Sequence, residues 1–110
     1  MISLKKQKSF LLGVRRCIQA AVNDLDLYHV VLRSMIPHTK KGSQAHTKLI
    51  VEARMIPAML HELHAIADNI EDHLRVDRSL SPDEWTALGA RMRRQAVLWE
   101  AMSEEKILGE

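Results

Sequence analysis

The chain has 110 residues, a formal charge of +2, a hydrophobic content of 46%, an aromatic content of only 4% and a single cysteine. That length holds one core and leaves no room for a second domain, and the lone Cys17 excludes an internal disulfide and any cysteine-rich zinc module. An interior of Leu, Ile, Val, Ala and Met favours helices over a β-sandwich, whose strands prefer β-branched and aromatic residues.

The N-terminus, MISLKKQKSFLLGVRR, starts like a secretion signal, but the apolar run SFLLGV is too short for one and ends at Arg15 and Arg16. No stretch approaches the ~18 apolar residues of a membrane span. A cytoplasmic protein without a membrane segment is expected, with residues 1–8 as a flexible basic arm on a single helical domain. The first periodic segment follows. Leu11, Ile18, Leu25 and Leu32 fall seven apart, and Val14, Ala21, Tyr28 and Met35 fill the second apolar position of each heptad. This predicts a helix over about 9–36, ended by Pro37, which disfavours a helical Ile36, and by the turn at Gly42.

Ser43 suits the cap of a second helix, about 43–77, whose stripe is Leu49, Ile56, Leu63 and Ile70 with Met59, Leu60, Ile66, Ala67 and Leu74 beside it. Pro57 lies inside it and predicts a kink near residues 53–57 rather than two helices. The third start is the strongest local signal. In Ser81-Pro82-Asp83-Glu84 the serine caps, the proline takes the first helical position and the glutamate completes a capping box. A helix over about 82–107 is predicted, with Trp85, Leu88, Met92, Ala96, Trp99 and Met102 as its buried stripe. Short connections between long helices make an elongated antiparallel three-helix bundle the expected all-α architecture.

The segment HELHAIADNIEDH, residues 61–73, invites a metal reading. At ~100° per residue, however, His61, His64, Asp68 and Asp72 gather opposite the stripe of Leu63, Ile66, Ala67, Ile70 and Leu74. The spacing His-Glu-Leu-His is also one residue short of the zinc motif in which two histidines one turn apart flank a general base. His61, His64 and Asp68 remain the best metal candidates, yet a solvated face carrying the pairs His64–Asp68 and Glu71–Arg75 is the expectation, with His73 packed at its flank. Cys17 has no histidine beside it, and the glycines at 13, 42, 89 and 109 are too scattered for a phosphate loop. No catalytic site and no cofactor are expected.

Helix 1 carries a second apolar strip. Leu12, Ala20, Leu27, Val30 and Val31 fall roughly opposite its heptad stripe, where a surface helix should be polar. Helix 3 repeats this faintly with Ala87, Ala90, Val97 and Ala101. Either the strip is buried because helix 1 sits between the other two, or it is covered by a second copy or a partner protein. On the second reading Leu12, Leu27, Val30 and Val31 anchor the partner, with Arg15, Arg16 and Arg33 as polar rim. Met55, Met59, Met92 and Met102 would make such surfaces adaptable.

The charge is uneven: residues 1–50 sum to +7 and residues 51–110 to −5. This fits an acidic partner or nucleic acid, or internal complementarity between antiparallel helices. A nucleic-acid surface would use Lys5, Lys6, Lys8, Arg15 and Arg16. The cluster Arg91, Arg93 and Arg94 points in three directions on a helix and makes no stripe, and no nucleic-acid-binding motif accompanies it.

The stretch LRSMIPHTKKGSQ followed by KLIVEARMIPAMLHELHAI, about residues 32–70, resembles the TraM family of small helical antiactivators. The likeness lies in a helix ending in an apolar-Pro pair, a Lys-Gly loop, and a second helix opening with the apolar-Glu-Ala step Val51-Glu52-Ala53. The chain differs from the family in a shorter N-terminal arm and in the capped helix from Ser81. The resemblance implies a dimeric inhibitor that binds LuxR-type quorum-sensing transcription regulators and blocks their binding to DNA. A non-enzymatic regulatory adaptor is therefore expected. A basic nucleic-acid-binding protein and a histidine-based metal binder are the alternatives.

Overall fold

The structure, a computed structural model, describes residues 3–108, the side chains of 103–108 excepted. Three helices, α1 (Leu4–Met35), α2 (Gln44–Arg75) and α3 (Pro82–Leu108), form an all-α bundle with no strand among the described residues. The bundle measures 55 × 20 × 18 Å, and its radius of gyration of 17.3 Å exceeds the ~13 Å of a compact domain of this size. Its length is that of its helices, since 32 residues rising ~1.5 Å each span nearly 50 Å.

Every helix begins at a serine. Ser3 Oγ accepts from the Lys6 N–H and Ser43 Oγ from the His46 N–H. At α3 the full capping box forms: the Glu84 N–H donates to Ser81 Oγ at 3.2 Å, and the Ser81 N–H donates to the Glu84 carboxylate at 2.9 Å. The cap at Ser3 corrects the expectation of a flexible arm. Lys5, Lys6 and Lys8 lie on the first turns of α1, and residues 1–2 fall outside the described region. Gln7 explains why the helix starts so early. It is buried, and its Oε1 accepts from the Leu80 N–H, which ties these turns to the connection before α3.

Ile36 corrects a second expectation. It keeps helical angles (φ −53°, ψ −47°), and the chain passes into a short 3₁₀ turn, Ile36–His38. Pro37 takes the second position of that turn, where its missing N–H costs nothing. The reversal follows at Thr39, which is extended, and at Gly42, whose φ of 80° only glycine adopts freely. α2 runs unbroken through Pro57. The proline sits on the exposed face, where water can meet the Ala53 carbonyl deprived of its donor.

The core is aliphatic, as the composition requires. Leu11, Val14, Ile18, Val22, Leu25 and Leu32 of α1 meet Ile56, Met59, Leu63, Ile66 and Ile70 of α2, and α3 adds Leu88 and Met102. Ion pairs flank this seam: Arg15 with Glu71, and Lys8 with Asp77 at 2.9 Å. The Lys8 ammonium, through its hydrogen bond and its charge, lowers the pKa of Asp77. Part of the uneven charge is thus internal complementarity. Within the seam, Glu52 is buried and its carboxylate accepts from Tyr28 Oη at 2.7 Å.

A propped seam and an exposed helix end as the candidate functional site

α3 lies against α2. Arg91 donates to Glu62 at 2.6 Å and lowers its pKa, and His73 stands 3.6 Å from Glu84. Arg78 grips the same Glu84 carboxylate with both guanidinium nitrogens, at 2.9 and 3.1 Å. α3 touches α1 differently. Among the described residues no Cα of α3 comes within 8 Å of a Cα of α1. Ring pairs bridge the two: Phe10 and Trp85, with centroids 5.8 Å apart, and Tyr28 and Trp99, at 6.1 Å and edge to face. On α1 these aromatics are separated by small or short side chains, Cys17, Ala20, Ala21 and Asp24, which cannot fill the space the rings prop open.

The result is a cavity of about 450 Å³ between α1 and α3. Ile18, Leu25, Met59 and Leu63 form its floor, and Met92 and Trp99 line the α3 side. Two polar side chains belong to the wall. Among the described residues Asp24, which is exposed, makes no ion pair, and Gln95 carries a buried Oε1 without a hydrogen-bond partner. Nothing in the one-dimensional pattern marks Gln95 or Asp24 as neighbours. They sit on different helices, 71 positions apart, and only the packing of α3 brings them together.

The second feature is the outer face of α1. Leu27 is 65% exposed, Val30 64%, Val31 42% and Met35 45%. Their spacing puts them on one side of the last turns of the helix. The three-helix wrap that would have hidden this strip does not occur. Leu12, however, lies some 22 Å back along the helix at ~1.5 Å per residue, with Arg16, Gln19 and Asn23 exposed between. The strip predicted as continuous is therefore an isolated leucine and a compact C-terminal patch. Met35, placed in the heptad stripe by its spacing, belongs to that patch because α1 outruns the core there. Trp99, expected to be buried, is 38% exposed for the related reason that it spans an open seam.

The predicted rim separates as well. Arg15 is held by Glu71, whereas Arg16 and Arg33 are exposed and make no ion pair among the described residues. Of the candidate nucleic-acid residues, Lys8 and Arg15 are occupied by Asp77 and Glu71, leaving Lys5, Lys6 and Arg16 exposed. At the other end of the rod, no carboxylate occurs between Asp26 and Glu52, while Arg33, Lys40 and Lys41 point to solvent.

His61, His64, Asp68 and Asp72 are exposed on α2. Among the described residues His64 and Asp68 form no ion pair, and Glu71 pairs with Arg15 rather than Arg75, which instead approaches Asp72 at 4.0 Å. The longer reach across the seam wins because Glu71 lies on the flank facing α1. Among the described residues no group of three His, Cys, Asp or Glu side chains could hold a metal ion. No described helix is long and apolar enough to cross a membrane. Comparison of the chain with protein-family models, with curated proteins and with solved structures finds no match.

Proposed function

We propose that this protein is a non-enzymatic regulatory adaptor of the cytoplasm that binds a protein partner through the C-terminal face of α1. The observation that carries this reading is the exposed patch Leu27, Val30, Val31 and Met35. Each of these half-exposed side chains forgoes roughly half of the ~1.5–3 kcal/mol of a full burial, and a clustered set is a stronger sign of association than scattered ones. Arg33, with Lys40 and Lys41 beyond it, gives the patch a basic border that suits a partner with an acidic edge. Arg16 stands farther off, and Leu12 and Arg15 take no part.

The resemblance over residues 32–70 gives the reading its finer form, a homodimeric antiactivator that covers a helical surface of a LuxR-type transcription regulator. Replacing Leu27 and Val30 together with Glu tests it. Light scattering coupled to size exclusion should show loss of self-association, co-purification with such a regulator should fail, and circular dichroism should be unchanged because both positions face solvent. Assembly and capture that survive the double substitution would refute the assignment.

The carboxylate-free segment from Leu27 to Val51 supports a second reading, in which Arg33, Lys40 and Lys41 contact nucleic acid phosphates. It requires retention on DNA or RNA at low salt that falls steeply as salt rises.

A further inference from the structure

We infer that the cavity between α1 and α3 is a binding site for a lipophilic organic cation, a small molecule with an aromatic or alkyl body and one positive charge. The cavity volume of about 450 Å³ lies within the range of sites that hold drug-sized molecules. Its floor and walls are aliphatic and thioether side chains, which suit an apolar body, and the methionines Met59 and Met92 can adapt to its shape.

The charge of the occupant follows from the polar groups. Among the described residues Asp24 is the only formally charged one in the wall, it is negative, and it makes no ion pair. Two arginines of α3 are directed elsewhere, Arg91 to Glu62 on α2 and Arg93 back to the Gly89 carbonyl, and the exposed Arg16 and Arg94 are not in the lining. Gln95 Oε1 is a second acceptor without a donor, and rotation about the last torsion of its side chain, a soft one, can turn it toward an occupant. Trp99 adds an indole, the aromatic group that best attracts a cation. The wall thus offers a carboxylate and a π system, with an amide oxygen that a side-chain rotation can add, and among the described residues no cationic group to meet an anion. Asp24 is exposed at the mouth, so a charged head can remain partly hydrated there while the apolar body lies inside. This site is distinct from the Leu27–Met35 patch and needs no partner protein.

The test uses two ions of the same shape and opposite sign, tetraphenylphosphonium and tetraphenylborate, in equilibrium dialysis against the full chain. Saturable binding of the cation is expected, tighter than that of the anion by about tenfold. Asp24→Asn should lower cation affinity by about threefold, since the carboxylate is exposed, and should leave helicity unchanged. Ala21→Phe, which fills the cavity, should abolish binding. Cys17, the chain's one thiol, lines the cavity, so the cation should also slow its alkylation by N-ethylmaleimide. Equal affinity for the two ions, absence of saturable binding, an Asp24→Asn variant that binds like the parent, or saturation without protection of Cys17 would each overturn the assignment.

Discussion

α1 presents two seams to its neighbours, and they are filled in different ways. Toward α2 its heptad residues meet a matching row, so Leu11, Leu32, Ile56, Ile66 and Ile70 are all but inaccessible and the flanks are closed by Arg15–Glu71 and Lys8–Asp77. Toward α3 the same helix offers Cys17, Ala20 and Ala21 between Phe10 and Tyr28, and the aromatic pairs set a separation that the small residues cannot span. The contrast teaches that two long helices can be joined at two points and remain unfilled between them. An apolar cavity needs only two pairs of rings as spacers. Stability should then reside in the first seam and ligand-sized space in the second.

The largest effect is expected from breaking the filled seam. Ile56→Ala removes a fully buried side chain from rigid surroundings and should cost ~2–5 kcal/mol, visible as a lowered midpoint in urea with an unchanged slope. A loss below ~1 kcal/mol would mean that the seam relaxes as easily as the open one.

The opposite change sharpens the comparison. Ala21→Leu places a larger side chain where the cavity has room and should be neutral or stabilising by ~1 kcal/mol, whereas enlargement in a close-packed seam costs ~1–3 kcal/mol. Chemical denaturation of this variant reads the sign directly. Marked destabilisation would show that α3 packs more closely on α1 than the structure has it.

The smallest effect concerns how α3 is anchored. Glu84 is held at a pKa of about 2, first by its hydrogen bonds from Arg78 and then by the Ser81 N–H. The folded value lies below the usual 4.5, so the stabilising contribution is complete above about pH 4.5 and is lost as pH falls toward 2. His73 also faces this carboxylate. Glu84→Gln should flatten the melting-temperature profile within that window and leave the neutral-pH slope unchanged. A variant that retains the acid-side slope would assign it to other carboxylates.

Much of the fold was legible residue by residue. Ser81 and Glu84 formed the capping box that their spacing announces, and Ser43 capped α2, because a serine side chain and the backbone N–H three residues on are neighbours in any helix start. The heptad residues of α1 were buried except at Met35, with Ala21 and Tyr28 half-buried. Misreadings arose where the outcome depended on distant partners. The N-terminal turns looked like a basic arm because Gln7 gives no sign of its bond to Leu80. Glu71 looked like a partner for Arg75 because Arg15 is 56 positions away. Of the candidate site, Leu27, Val30 and Val31 were readable from periodicity, while Gln95 and Asp24 were not.

The order of apolar and polar residues by itself determined three helices, the starts of α2 and α3 and the inward faces of α1 and α2, since capping and amphipathic periodicity act within a few turns of the chain. Only the tertiary structure decided that α3 leans on α2 and stands off from α1. That separation follows from the size of the rings meeting at Phe10–Trp85 and Tyr28–Trp99, a relation between helices that no local spacing encodes.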